Sequence, residues 1–165
     1  MFLLVPGAPP VCRYAVVPTD VLRQLLPRRQ QIGLAEALAC LLGPYNFPES
    51  FSGRDVIHFI DNMGALAGCI TGGSSVPDAN CIYQLHALKL AELGCRYWAE
   101  FVESAANLAD EPSRSGADCP SAASLGAAAA VCDLPPLPDL WRACTDVLLA
   151  EKVGNARLFL HTDLD

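Results

Sequence analysis

The run Asp55–Asp61, which reads DVIHFID, constrains the fold of this chain more than any other feature of its sequence. Between the two aspartates, every residue except one histidine is a large apolar residue. A continuous apolar run of strand length predicts a strand that is covered on both faces, because a strand with one solvated face alternates apolar and polar residues. Strands of this kind belong to parallel sheets with helices packed on them.

The segments around this run predict helices and a second strand in alternation. Apolar residues recur at helical spacing in QIGLAEALACLL, and we expect Gly43-Pro44 to stop that helix. NMGALAGCITGG predicts a short helix closed by glycines, and Pro77 suits the first turn of a longer helix that ends at Gly94. CRYWAEFVE predicts a second core strand. The order indicates the α/β class, with a mixed, partly parallel sheet and flanking helices.

The length of 165 residues and the hydrophobic share of 52% predict one folded domain with a proper core. The composition changes after Ser115, where small residues and prolines dominate. We therefore assign residues 1–115 to the folded domain. Residues 116–165 are interpreted as an Ala/Pro-rich linker followed by a C-terminal helix over residues 139–152.

The net charge of −7 argues against a free-standing, high-affinity nucleic-acid binder. Such proteins gain most of their affinity from Lys and Arg that release phosphate counterions. An acidic chain instead suits a site that concentrates carboxylates around metal ions, with partner domains holding the nucleic acid.

The eight cysteines are scattered, without a CxxC pair or a nearby histidine, and predict buried thiols rather than a zinc site or a disulfide framework. The opening MFLLVPGAPP lacks the basic start and the long apolar run of a secretory signal peptide. No stretch approaches the roughly 20 apolar residues of a membrane span. We expect a soluble, intracellular protein, cytoplasmic or nuclear, that is not secreted and has no membrane partner.

Three acidic residues lie within or next to apolar segments, at positions that solvent exposure alone does not explain. Glu36 interrupts an apolar helix, Asp61 ends the most hydrophobic strand, and Asp110 follows the second core strand. Carboxylates that converge at the end of a sheet repel one another unless cations lie between them. Oxygen ligands without His or Cys suit Mg²⁺ or Mn²⁺, and a pair of such ions can activate water against a phosphodiester. The pattern indicates metal-assisted phosphodiester hydrolysis.

Each of these residues also has a purely structural interpretation. Glu36 suits a helix surface beside the arginines of the PRR run, and Asp61 suits the N-cap of the following helix. Asp110 suits an acidic turn. His58, inside the core strand, is expected to be a packed histidine rather than a base.

Three segments in order resemble the RNase H domain of retroelement reverse transcriptases, the group that includes DIRS-like and related elements. They are RRQQIGLAEALA, GRDVIHFIDNMGALAGCITGGSSVPD and WAEFVESAANLADEPSR, within the run from Arg28 to Arg114. NLADEPSR looks like the terminal signature of these domains. The resemblance implies an RNase H-like fold that cuts the RNA strand of RNA–DNA hybrids with Mg²⁺ or Mn²⁺. It also implies, as partners, the other domains of a retroelement polyprotein.

Carried over to this chain, the resemblance implies three catalytic, metal-binding carboxylates: Glu36 on the helix, Asp61 on the strand and Asp110 at the end of the motif. Ser104, Asn107, Ser113 and Arg114 would frame the last of them. The resemblance further implies nucleic-acid contacts by Asn62, Gly73, Ser74, Ser75, Asn107 and Arg114.

One departure from the family is serious, because its first strand carries a further aspartate near the centre of the sheet. No acidic residue precedes Asp20 here, and Asp20 lies in the lead-in to the first helix. The chain therefore looks N-terminally truncated, without the central strand. We expect an N-terminal hairpin of Phe2–Val5 and Val11–Val17 that either pairs with the exposed edge of DVIHFID or stays mobile.

Three functions follow from these observations. The first is a ribonuclease H that uses two metal ions. The second is a catalytically inactive remnant of the same fold that acts as a binding or interaction module, since losing one ligand weakens a two-metal site. The third is an unrelated α/β protein whose acidic residues are structural.

Overall fold

A computed structural model of the chain describes residues 1–27, 29 and 31–135, within one compact unit that runs from Met1 to Pro135. The unit therefore extends past Ser115, where we had predicted its end. The predicted C-terminal helix lies outside the described residues. The elements are, in chain order, β1 (Phe2–Leu3), β2 (Val11–Tyr14), α1 (Thr19–Gln24), α2 (Ile32–Asn46), α3 (Pro48–Phe51), β3 (Asp55–Ile60), α4 (Met63–Thr71), α5 (Pro77–Glu92), β4 (Arg96–Phe101), a 3₁₀ turn (Ser104–Ala106), α6 (Asp110–Ser115), α7 (Pro120–Ser124) and β5 (Ala129–Val131).

The strands of the described residues form two small sheets with helices packed on them, as expected of a mixed α/β protein. In the first sheet, β1 pairs antiparallel with β2, and β2 pairs parallel with β5. In the second sheet, β3 and β4 run parallel, in a register from Asp55 opposite Arg96 to Ile60 opposite Phe101. The parallel pair separated by helices confirms the alternating pattern that the sequence indicates.

The prediction that β3 is covered on both faces is wrong. Burial alternates along the strand, and Ile57 and Phe59 are 63% and 57% exposed. On the neighbouring strand Trp98 is 64% exposed. Helix α4 packs toward the opposite face, where Val56, His58 and Ile60 lie, and His86 of α5 contacts Tyr97 of β4. This small sheet therefore keeps one open apolar face.

The N-terminal hairpin forms, but it neither pairs with β3 nor stays without a partner. It is completed by β5, where Cys12 lies opposite Ala129. The Glu111 carboxylate accepts a hydrogen bond from the backbone N–H of Ser121 at 2.7 Å and so ties the 116–131 segment to α6. Burial of Cys12 against Cys119 also holds this segment in place, which is why it is not a free linker.

Helix α2 continues through Gly43-Pro44 to Asn46, contrary to the predicted stop. A proline near the C-terminus removes only one helical hydrogen bond. The Nδ2 atom of Asn46 donates to the Leu42 carbonyl at 3.0 Å, which supports the last turn. A side chain at position 43 would lie 2.7 Å from the Phe51 ring, so the glycine allows α3 to pack closely.

The other predicted helix ends are confirmed. Helix α4 ends at Gly72, whose φ of +67° is the left-handed conformation that glycine adopts without strain. Helix α5 begins at Pro77, and Gly94 follows its end. In the part of the chain that the structure describes, no helix has the length and apolarity to cross a membrane.

Candidate carboxylate site

Glu36, Asp61 and Asp110 come from three separate elements and line one cleft. Glu36 is half-buried on α2, Asp61 directly follows the last residue of β3, and Asp110 opens α6. The parallel strands β3 and β4 end at the same edge, which brings the residues after each of them together. The three carboxylates therefore share one cleft, and their joint binding of a metal ion stays a prediction.

The electrostatics of Glu36 indicate that the three carboxylates interact. Burial raises the pKa of Glu36, and repulsion from Asp61 and then from Asp110 raises it further. Like charges can shift one another in this way only at short range. Glu36 is half-buried and lines the cleft, so it is not a fully exposed residue of the helix surface.

Asn62, rather than Asp61, caps helix α4. The Asn62 side-chain oxygen accepts a hydrogen bond from the backbone N–H of Ala65 at 3.0 Å. The alternative that Asp61 serves as the N-cap is therefore wrong. The Asp61 carboxylate remains available to the cleft, while its neighbour fixes the turn that carries it.

Asn107 fixes the backbone that leads into Asp110. Its side-chain oxygen accepts a hydrogen bond from the Ala109 N–H at 3.0 Å, and its carbonyl accepts one from the Asp110 N–H at 3.1 Å. The Ser113 hydroxyl donates to the Asp110 carbonyl at 2.7 Å. Asn107 and Ser113 thus frame the carboxylate through its backbone.

Arg114 forms an ion pair with Asp110, with 2.9 Å between Nη2 and Oδ2. The guanidinium is largely exposed, and the two residues are one helical turn apart. A cation that binds Asp110 would compete with Arg114, which partly neutralises this end of the cleft.

The predicted nucleic-acid contacts divide into two groups. Asn62, Asn107 and Arg114 line the cleft with the carboxylates. Gly73, Ser74 and Ser75 lie between α4 and α5, outside the lining of the cleft, where the Ser74 N–H donates to the side chain of Asn80 at 2.9 Å. A nucleic-acid role for these three residues stays a prediction.

The three predicted ligands, Glu36, Asp61 and Asp110, are carboxylates, which are the ligand type that suits a hard divalent cation. The side chains are not, however, drawn into a closed ligand shell. Across residues 1–27, 29 and 31–135, no three His, Cys, Asp or Glu side chains are grouped so that they could hold a metal ion. Burial raises the pKa of Glu36 most, and Asp61 and Asp110 raise it further by a charge repulsion that a bound cation would relieve.

A buried polar cluster behind β3 was missed at the level of sequence. Tyr97 contacts both His58 and His86, and burial lowers the pKa of each histidine to about 4. The prediction that His58 is packed rather than a base is in keeping with this burial and with its contact to the Tyr97 hydroxyl. His86 is four residues from both Ile82 and Leu90, which are buried. That helical spacing was the signal that it faces the core.

Comparison of the chain with protein-family models, curated proteins and solved structures finds no match.

Proposed function

We propose that this chain is an RNase H-like domain of retroelement reverse-transcriptase origin, which hydrolyses the RNA strand of RNA–DNA hybrids with Mg²⁺ or Mn²⁺. One observation carries the proposal. Glu36, Asp61 and Asp110, from three different elements, line one cleft, where the two aspartates add to the effect of burial in raising the pKa of Glu36. The sequence segments that resemble these domains supply the same three carboxylates.

In this proposal, Glu36, Asp61 and Asp110 hold the cations. When bound, two such ions activate a water molecule and stabilise the oxygen that leaves the phosphodiester. Asn62 and Asn107 keep the two aspartate-bearing turns in place through their hydrogen bonds to Ala65 and Ala109. Because the net charge is −7, the other domains of a polyprotein would supply most of the affinity for the hybrid.

A catalytically inactive interaction module is the second candidate, and a specific observation favours it. The carboxylates line the cleft without forming a ligand group in the described part of the chain, and Arg114 already pairs with Asp110. A site with too few ligands binds metal weakly and loses transition-state stabilisation. The same cleft would then serve binding alone.

The test is cleavage of an RNA–DNA hybrid labelled on the RNA strand, in Mg²⁺ and in Mn²⁺, by the wild type and by Asp61→Asn. The matched control is Asp118→Asn, which removes the same charge from an exposed position outside the cleft. Cleavage that Asp61→Asn abolishes and Asp118→Asn retains would support the nuclease. Cleavage that persists in Asp61→Asn would overturn the assignment of the site.

A binding measurement separates the two candidates without relying on activity. Mn²⁺ bound to the protein is quantified by electron paramagnetic resonance for the wild type, Glu36→Gln and Asp118→Asn. Binding that only Glu36→Gln weakens supports a cation site formed by the three carboxylates. Absence of both bound Mn²⁺ and cleavage would reject the nuclease and favour the interaction module.

A further inference from the structure

Strand β3 has a free backbone edge. The Arg96 N–H donates to the Arg54 carbonyl at 2.9 Å, and the Val102 N–H donates to the Ile60 carbonyl at 3.1 Å. In a parallel ladder, these bonds direct the backbone groups of the even-numbered residues of β3 toward β4. The N–H and C=O groups of Ile57 and Phe59 therefore point away from β4, and no strand among the described residues pairs with them.

A second free edge lines the same cleft. Strand β1 is the outer strand of its sheet, and Met1 exchanges two backbone hydrogen bonds with Arg13 on β2. The alternation of an antiparallel ladder then directs the backbone groups of Phe2 away from β2. The cleft is lined by residues 1–6 on the β1 side, by residues 54–62 on the β3 side, and by α2 residues such as Leu38 and Leu42.

The size and chemistry of this cleft suit a polypeptide strand. Its volume of about 1740 Å³ exceeds the ~300–1,000 Å³ of ordinary small-molecule pockets. Apolar side chains dominate the part between β1 and β3, and unpaired backbone groups lie beside them. Two of the arginines that line the cleft are already paired, Arg96 with Asp55 and Arg114 with Asp110.

Exposure of the apolar face adds to this argument. Ile57 and Phe59 extend their side chains into solvent on the strand whose edge is unpaired. Large exposed apolar residues beside an open strand edge mark a surface that pairs with another strand. An added strand would form hydrogen bonds with the unpaired backbone groups of β3, and its own apolar side chains would extend the exposed apolar face.

We propose that the cleft between β1 and β3 accepts an extended β-strand from another polypeptide chain. The strand pairs with the free edge of β3 and places apolar side chains at alternate positions. It occupies the apolar part of the cleft and leaves the carboxylates at the end of β3 uncovered. The proposal is independent of nuclease activity, since it requires neither metal nor nucleic acid.

The probe is a short fluorescein-labelled peptide in which valine and threonine alternate between terminal lysines, and its binding is followed by fluorescence anisotropy. Ile57→Pro removes a backbone N–H that β4 does not use, and proline is tolerated at such an edge position. Ile57→Thr keeps that N–H and is the matched control. We expect saturable binding that Ile57→Pro weakens by at least about tenfold and Ile57→Thr largely retains.

A second probe protects the test against misfolding of Ile57→Pro. The same peptide, N-methylated at alternate residues, cannot donate backbone hydrogen bonds and is measured against the unaltered protein. Loss of binding with this peptide, together with slowed hydrogen exchange at Ile57 and Phe59 when the unmethylated peptide binds, supports strand addition. Equal binding of the two peptides would overturn it.

Three other outcomes would also overturn the proposal. The first is no saturable binding up to about 1 mM peptide, which corresponds to an affinity of only about 4 kcal/mol. The second is a dimer in analytical ultracentrifugation that Ile57→Pro dissociates, since this would assign the edge to a second copy of the chain. The third is displacement of the peptide by an RNA–DNA hybrid that binds with the same sensitivity to Ile57→Pro.

Discussion

The Nδ1 atom of His58 lies 2.7 Å from the hydroxyl oxygen of Tyr97, across the parallel strands β3 and β4. The Tyr97 ring also meets His86 of α5 edge to face, with 4.9 Å between ring centroids. Burial raises the pKa of Tyr97 and lowers that of His58, so both groups remain neutral at pH 7. The contact is thus a neutral hydrogen bond that joins the two strands beneath the helices.

Replacing Tyr97 by phenylalanine tests how much this hydrogen bond contributes to the free energy of unfolding. The ring remains, but the buried Nδ1 atom of His58 loses its partner, and a buried polar group without a partner costs about 1–3 kcal/mol. We expect Tyr97→Phe to lower the free energy of unfolding by that amount in urea denaturation. Tyr14→Phe is the control, because the Tyr14 hydroxyl makes no hydrogen bond in the described structure. Equal effects of the two changes would contradict the role of Tyr97.

The two histidines predict a loss of stability in mild acid. Burial lowers their pKa to about 4, below the usual value of 6.5, so the unfolded chain binds more protons than the folded chain between these values. Stability is therefore complete above pH 6.5 and falls as the pH drops toward 4, by up to about 3 kcal/mol for each histidine. Urea titrations between pH 7.5 and 4.5 measure this slope.

The variant His86→Leu checks the origin of that slope. The Nε2 atom of His86 has no hydrogen-bond partner among the described residues. Replacing His86 by leucine therefore removes the titrating group without breaking a hydrogen bond of that atom. We expect the loss of stability between pH 6.5 and 4.5 to fall by about half. An unchanged slope would show that other groups cause the acid sensitivity.

Two glycines in helices predict opposite effects of the same substitution. A Cβ atom at Gly68 of α4 would lie 2.3 Å from the ring of Tyr83, whereas one at Gly33 of α2 would meet nothing within 4 Å. Gly68→Ala forces buried side chains apart, and we expect it to cost about 1–3 kcal/mol. Gly33→Ala should stabilise the protein by up to about 1 kcal/mol through helix propensity. Thermal unfolding of both variants compares them, and stabilisation by Gly68→Ala would refute the close packing.

Local sequence signals predicted the elements well where short-range physics decides. Pro77 and Gly94 delimit α5 because a proline suits the first turn of a helix and a glycine suits the turn that follows it. The place of Asp61 and Asp110 in one cleft follows from their positions after two strands that run parallel. Signals of this kind need only a few neighbouring residues.

The features that the sequence did not predict depend on distant contacts. The apolar run of β3 suggested two covered faces, yet Ile57 and Phe59 are exposed because the helices pack on the other side. The segment after Ser115 appeared low in information, but Glu111 and Cys12 hold it in the first sheet. Each of these outcomes is set by residues far away in the chain, which a local pattern does not contain.

Asn62 caps helix α4, whereas the adjacent Asp61 is a proposed metal ligand, so the two neighbouring residues have separate roles. We expect Asn62→Ala to lower the free energy of unfolding by about 0.5–2 kcal/mol, because the Ala65 N–H loses its side-chain acceptor. Asn62→Asp retains a capping oxygen and should remain close to the wild type. Thermal unfolding compares the two variants. If Asn62→Asp were as destabilised as Asn62→Ala, capping would not explain the role of this residue.

The proposed function predicts that divalent cations stabilise the folded protein and that this effect depends on Glu36. Its pKa is raised by burial and by repulsion from Asp61 and Asp110, so its ionisation disfavours the folded state, and stability falls as the pH rises through that raised pKa. Glu36→Gln should therefore be more stable than the wild type at pH 7 in the presence of a chelator. Mg²⁺ at ten times its dissociation constant should stabilise the wild type by about 1.4 kcal/mol and Glu36→Gln by much less.

Glu103→Gln, at an exposed position outside the cleft, is the matched control and should respond to Mg²⁺ as the wild type does. Because chelated and Mg²⁺-loaded samples are compared by urea denaturation, the result depends on binding alone. Equal stabilisation of the wild type and Glu36→Gln by Mg²⁺ would place the cation elsewhere.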